Sequence, residues 1–485
     1  MTKNELLRQV RGSFTNYQAM NEEFFKENSD GSITYEEFGK LLNEYGLDIG
    51  KIIVDPERKI NNVYYADSER PLYMDIYLTK ELLLEERFGL PTAEKRAEQQ
   101  AEMIRENNYS VFYLIAVPKG LHIYDFQKRV TQIPDSQVFE VWSDIHRNLD
   151  YANGQWSETV LDYVFSKAPR PKEMPEINEK GTVTIYRGVG SQSAPLETAI
   201  SWSTNHRNAL WFANHNGLGT AVYKAEVQLQ DIIAWFPGIH NENEIIVKKG
   251  SIMNIEKEDY IPVDTENMSK VLSPALMDFV NYGKQIFELD YEKEGTFRCH
   301  GRSHILRVLL LGMIMCDSSG YSLSLRDRNI IAGFSLFHDL GRSDDGEDYL
   351  HGKLSAEIVR EQDLHTYGGK LSKKDFEMMC FCIEQHSKPD EEGYDKIEQK
   401  KNYSENDRRR LKFLFEICKD IDGLDRVRFG DLDVSRLRTS YAKKLPLIAG
   451  ALLNENLEGF IKDTLGLENE EETQSDISMT QGGVL

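Results

Sequence analysis

The sequence predicts a multidomain chain in which an α+β segment is followed by an all-α domain. Three observations carry that expectation. The 485 residues exceed what one ordinary core holds, which points to about three domains. Between Thr182 and Ile261 the runs TVTIY, TAVYKAEVQL and EIIV are β-branched and partly alternating, as strands are. From Pro274 onward the texture changes to long helical runs, among them SHILRVLLLGMIM, RNIIAGFSLFHDL, SAEIVREQ, KDFEMMCFCIEQ and RRRLKFLFEICKDIDGLDRV.

Composition narrows the function classes. The chain carries 58 Lys+Arg against 80 Asp+Glu, a formal net charge of −22. So acidic a chain is a poor nonspecific partner for nucleic acid or an anionic membrane, which bear the same sign of charge. The longest apolar stretch, Ile305 to Cys316, is interrupted by Arg307. It falls short of the ~20 residues that span a bilayer, so no membrane span is expected. Met1 to Gln9 lacks an apolar signal core. The five cysteines all follow residue 298, without disulfide-framework or zinc-ribbon spacing. A reducing compartment, and hence a cytoplasmic location, is the expectation.

Residues 1–130 read as an accessory region. Within it NEEFFKENSDGSITYEEFGKLL resembles an EF-hand. Asn28, Asp30 and Ser32 fall at the third, fifth and seventh loop positions, Gly31 at the turn and Glu37 at the twelfth. Lys26 stands at the first position, where an Asp should donate oxygen. It removes a ligand and adds repulsion, so a helix–turn–helix without physiological calcium binding is expected.

Residues 131–265 contain three ordered pieces. TVTIYRGVG ends a strand near Arg187. AISWSTNHRNALWFA combines Ser203 and Thr204 with a following helix. NENEIIV brings Glu242 and Glu244 to the start of another strand. This order resembles the arginine–serine–glutamate class of mono-ADP-ribosyltransferases, in its Glu-x-Glu form. The resemblance implies an α+β ADP-ribosyltransferase-like domain with NAD as substrate and a protein acceptor of ADP-ribose, arginine being favoured. It also implies roles. Arg187 grips the phosphate and ribose side of NAD with its planar fork. Ser203 and Thr204 brace the cleft. Glu244 stabilises the ribosyl cation, and Glu242 activates the acceptor. Asn205 departs from the family's third hydroxyl.

Residues 270–465 carry His304 in GRSHILRVLLLG, His338 and Asp339 in AGFSLFHDLGRSDDG, and His351 in YLHGKLSAEIV. His386 lies in CIEQHSKPD and Asp422 in KDIDGLDRVR, where Asp420 is a rival. A buried His-Asp pair on an apolar helix needs compensation. The order resembles the HD superfamily of metal-dependent phosphohydrolases, in its subset with enough ligands for two metals. The resemblance implies an all-α HD domain and one or two divalent transition metals. Four imidazoles and two carboxylates suit Fe, Mn, Zn, Co or Ni better than Ca. Arg342, where the family often has lysine, is the expected phosphate-binding residue. His300, His365, Cys380 and Cys382 are expected to be ordinary core or surface residues. Residues 466–485 read as an acidic disordered tail.

Together these readings describe a two-enzyme chain. A mono-ADP-ribosyltransferase is fused to a hydrolase acting on a nucleotide or phosphodiester, a pairing that resembles bacterial effectors or toxins delivered into a host cell. Two alternatives stay open at this level. In one the transferase fold only binds nucleotide beside an active hydrolase. In the other the chain is a non-enzymatic, calcium-sensing partner-binding protein.

Overall fold

The computed structural model describes residues 17–467 apart from 56–62, 150–155, 172, 191–192, 215–218, 239–242, 290–298, 318–320, 322 and 347. The expected acidic tail from residue 468, and Glu242, lie outside the described residues. No described helix is long and apolar enough to cross a membrane.

The described residues begin with a four-stranded antiparallel sheet in the order β1 (Gln18–Ala19), β2 (Ile52–Val54), β3 (Val63–Asp67), β4 (Leu72–Asp75). The EF-hand-like segment forms the helices Glu22–Asn28 and Tyr35–Glu44, whose Phe25, Phe38 and Leu42 pack into the core of this sheet. The side chains at the EF-hand-like loop positions have local partners here. Asp30 accepts from the amide of Ser32 at 2.9 Å. Glu37 closes a capping box, accepting from the amide and hydroxyl of Thr34 at 2.9 and 2.8 Å. Lys26 pairs with Glu22 one turn back, at 2.7 Å.

A helical lobe follows, with the helices His122–Arg129, Val138–Arg147 and Glu158–Ser166. One core runs from Tyr109 through Val164, so residues on both sides of position 130 pack as a unit. Its base is a second antiparallel sheet, ordered β10 (Met253–Lys257), β7 (Gly219–Val227), β5 (Val183–Gly190), β6 (Ser201–Ser203), β9 (Glu244–Val247), β8 (Ile232–Phe236). Strand periodicity divides the residues of β9 between two cores. Ile246 joins the core of the lobe, whereas Ile245 and Val247 join the core on the other face. Glu244 has the parity of Ile246 and therefore points toward the lobe.

Beyond Thr265 the described chain has no strand, in agreement with the all-α expectation. The helices Arg302–Asp317, Leu325–Phe337, His351–Glu361, Lys373–Gln385 and Glu405–Leu424 surround one large apolar core. Ser324 and Ser404 start two of them with capping boxes, so their first-turn amides find partners. All five cysteines are free thiols. The helix His206–Asn214 of the middle segment contributes Ala209, Leu210 and Ala213 to this same core. Arg207 pairs with Asp433 at 3.0 Å, and the amide of Ile261 donates to the carbonyl of Lys444 at 2.8 Å. The two segments thus share a packed, hydrogen-bonded boundary.

The first sheet is fastened to the lobe by a buried polar knot. Arg129 donates to Asp125 at 3.1 Å and to the Tyr73 hydroxyl at 2.8 Å. Asp125 also accepts from Tyr113 at 2.8 Å and from Tyr73. Replacing Asp125 by Ala strands the guanidinium in the core, and such broken buried pairs lose about 3–5 kcal/mol. Thermal and urea unfolding of Asp125→Ala should show a loss of that size. A change below about 1 kcal/mol, the range of an exposed pair, would contradict the role assigned to the knot.

Candidate metal centre

Six side chains meet where five helix ends converge. His304 sits in the first turn of the helix Arg302–Asp317. His338 and Asp339 directly follow Leu325–Phe337, His351 opens His351–Glu361, and His386 closes Lys373–Gln385. Asp422 lies in the last turn of Glu405–Leu424. His304, His338, Asp339, His351 and His386 are all buried.

The six divide into two groups that share Asp339. On one side the Nε2 atoms of His304 and His338 are 3.2 Å apart and each lies 3.6 Å from Asp339 Oδ2. Asp422 Oδ1 is 3.6 Å from His304 Nε2 and 3.9 Å from His338 Nε2. On the other side the Nε2 atoms of His351 and His386 are 2.8 Å apart, at 3.4 and 3.8 Å from Asp339 Oδ1. One oxygen of Asp339 therefore faces each group.

The outer nitrogen of every imidazole is committed. His304 Nδ1 donates to Asp425 Oδ2 at 2.8 Å, His338 Nδ1 to the Ser335 carbonyl at 3.1 Å, and His386 Nδ1 to the Ile383 carbonyl at 2.7 Å. His351 Nδ1 donates to the Asp348 carbonyl. All four partners are acceptors, so Nδ1 carries the proton and Nε2 presents a lone pair. Two such lone pairs facing at 2.8 or 3.2 Å repel unless a cation lies between them. Ligands bound at about 2.0–2.2 Å to a common metal sit roughly 3–3.5 Å from one another, close to the separations here. The donor set thus fits two cations. His304, His338, Asp339 and Asp422 would hold one, and Asp339, His351 and His386 the other.

Electrostatics match this arrangement. Burial pushes His338 and His351 down to about 4, which keeps their Nε2 lone pairs free near neutral pH. Burial alone would raise Asp339. The surrounding imidazoles outweigh it and hold the carboxyl well below the usual range. Asp422 behaves likewise, with burial opposed by His338 and His304.

The remaining expected residues separate clearly. Asp420 is fully buried and accepts from the amides of Arg438 and Thr439, at 2.9 and 2.7 Å, so it anchors that loop. Arg342 donates to Asp339 Oδ1 at 3.3 Å and to the Gly346 carbonyl at 3.0 Å. His365 contacts Asp363 at 3.2 Å, outside the cluster, and Cys380 and Cys382 are core residues. His300 bonds Asp345 at 2.9 Å and sets its ring edge-on to that of His304. Sequence reasoning missed Asp425. It clamps His304 while accepting from Arg307 at 2.6 Å and Arg428 at 2.9 Å. The available signal was its place one helical turn beyond Asp422.

In the middle segment the motif residues gather around Glu244. Its Oε1 accepts from the Ser201 hydroxyl at 2.5 Å and contacts His146 Nε2 at 3.2 Å, while Oε2 is buried without a partner. Arg187 Nη1 donates to the Ser201 carbonyl at 2.5 Å, and burial pushes this guanidinium down to about 10. Ser203 accepts from the amide of Asn205 at 3.0 Å, and Thr204 donates to the Asn243 carbonyl at 3.3 Å. The hydroxyl on Glu244 is therefore that of Ser201, a residue the sequence did not single out. No sequence signal pointed to His146, which lies 98 residues away on another element.

Residues 301–426 match the family model of the HD domain. That span contains all six clustered side chains and stops short of Arg187 and Glu244. No curated protein and no solved structure matches the chain.

Two outcomes follow from the geometry. In metal-free protein the folded-state values of His338 and His351, about 4, lie below the ordinary 6.5, so the unfolded chain binds more protons between these limits. Stability should therefore fall as pH drops from 6.5 toward 4, and saturating metal should raise stability without removing that slope, because metal-bound imidazoles stay deprotonated while the unfolded chain still takes up protons. Urea midpoints across this window check the sign. Separately, Asp425→Asn should weaken metal affinity about 10–100-fold, as loss of a ligand-orienting carboxylate does. Competition with a chelator measures it, and unchanged affinity would remove Asp425 from the centre.

Proposed function

We propose that the C-terminal helical domain is a metal-dependent phosphohydrolase acting on a nucleotide or phosphodiester. The observation that carries this reading is the pairwise meeting of four imidazole lone pairs across one shared carboxylate. Bound divalent metals would supply hydroxide at neutral pH and neutralise charge on a phosphoryl oxygen. The chain's own part is orientation. Four Nδ1 hydrogen bonds fix the imidazole planes, and Asp425 holds His304 while two arginines hold Asp425. Arg342 already touches Asp339, which puts a permanent cation beside the position a phosphate would take.

A second reading concerns the middle segment, favoured by one specific observation. Arg187, Ser201 and Glu244, on the strands β5, β6 and β9, are joined through Ser201, and the free oxygen of Glu244 is unpartnered. In this reading the segment transfers ADP-ribose from NAD to a protein side chain, arginine first. Arg187 holds phosphate, and Glu244 meets the charge that develops on ribose as nicotinamide leaves. Glu242 would serve the acceptor.

Incubation of pure full-length protein with labelled NAD and cell lysate, alongside a panel of phosphoesters and added Mn or Fe, tests both. The double variant His338→Ala, Asp339→Ala should lose bound metal and phosphoester hydrolysis. Glu244→Gln should lose labelling and keep hydrolysis. Full hydrolysis by the double variant would overturn the first reading. Labelling by Glu244→Gln at the wild-type rate would overturn the second.

A further inference from the structure

One cavity is used by neither reading. Its volume is about 420 Å³, and His304 forms part of its wall. The other wall residues include Arg307 and Arg428, the two arginines that hold Asp425 on the Nδ1 side of that ring. None of the other five clustered side chains lines it. It therefore adjoins the metal centre while staying separate from the facing Nε2 atoms.

The cavity is cationic in an acidic chain. Arg302, Arg307 and Arg428 border it, opposed by Asp425 and Glu458. Asp425 is taken by Arg307 and Arg428. Glu458 is shared, lying 3.1 Å from Lys462 and 3.8 Å from Arg302. Arg302 is thus loosely held, and the Nε atoms of both Arg302 and Arg428 are buried without hydrogen-bond partners. The start of the 16-residue helix Arg302–Asp317 faces the same space through Ser303, adding the positive end of its dipole. At the rim the Phe429 ring is 42% exposed, with the Arg428 guanidinium 4.2 Å from its centroid. Guanidinium forks, a helix start and an aromatic ring are a chemistry for phosphate beside a planar base.

We propose that this cavity binds a phosphate group of a nucleotide, gripped by Arg302 and Arg428, with the base against Phe429. The phosphate belongs either to a substrate reaching across to the metal centre, a form that rests on the phosphohydrolase reading, or to a separate nucleotide effector. Both present the same anion to the same side chains. Because Arg428 also holds Asp425, and Asp425 holds His304, occupancy is coupled to a metal-ligand position through direct contacts.

Cys299 supplies a built-in reporter. It lines the cavity and is the one cysteine that is not buried. Metal-loaded full-length protein is treated with iodoacetamide, and Cys299 modification is followed by peptide mass spectrometry, with Cys299→Ser as the control. ADP and inorganic pyrophosphate are the probes. At about ten times its Kd, a probe should slow alkylation about tenfold. Arg302→Gln should abolish protection by both, and Phe429→Ala should weaken protection by ADP alone. Arg302→Lys, which keeps the charge, should retain part of it and covers the case in which the Gln variant does not fold. Equal alkylation with and without both probes, or full protection in Arg302→Gln, would overturn the proposal. A raised KM for phosphoester hydrolysis in Arg302→Gln identifies the anion as part of the substrate. An activity change seen only when ADP is added identifies an effector. Hydrolysis without any protection of Cys299 removes this site and leaves the phosphohydrolase reading standing, whereas protection without hydrolysis of any phosphoester does the reverse.

Discussion

The geometry of the C-terminal domain turns on Asp339, because its two oxygens are the only groups common to both pairs of facing imidazoles among the described residues. Lone pairs brought to 2.8 and 3.2 Å from one another are tolerable only beside positive charge. The nearest cations, Arg342 and Arg307, are engaged with Asp339 and Asp425 rather than lying between the facing nitrogens, and burial keeps His338 and His351 from acquiring protons near neutral pH. Everything outward from Asp339 follows that constraint. Each imidazole is turned so that Nδ1 meets a carbonyl or carboxylate, and each lies at a helix end, where unpaired backbone carbonyls or loop residues are at hand.

The same economy of position appears behind His304. Asp425 sits in the turn that ends the helix Glu405–Leu424 and binds three groups, His304, Arg307 and Arg428. Arg428 then stacks on Phe429, and Gly430 next to it approaches Trp211 of the middle segment so closely that a Cβ there would lie 2.9 Å from the indole. Gly430 also has φ of 66°, a conformation that glycine adopts without strain. A continuous set of contacts therefore runs from the candidate metal-ligand position His304 to the helix His206–Asn214.

The middle segment builds its polar cluster differently from the metal centre. Its polar cluster is assembled from a sheet and a lobe, and it leaves Glu244 Oε2, Arg187 Nε and His146 Nδ1 buried and unpaired. Buried polar atoms without partners are rare and cluster where a ligand or water completes the set. That incompleteness is what distinguishes Glu244 from a structural carboxylate such as Asp420 or Asp125, whose oxygens are fully engaged.

Much of this was legible in the sequence wherever the signal is local. Hydrophobic periodicity separated the β-rich stretch from the helices after Pro274. His338 with Asp339, on an apolar helix, announced itself because burying that pair requires compensation. Tertiary structure alone decided the rest. It set Asp422, already favoured over Asp420 by its spacing to Leu424-Asp425-Arg426, beside the clustered imidazoles and turned Asp420 to the amides of Arg438 and Thr439. It added Asp425 and His146, whose partners lie 121 and 98 residues away, and it placed Ser201 against Glu244. A sequence records which groups are hard to bury; the directions in which their second atoms find partners exist only once distant elements have packed.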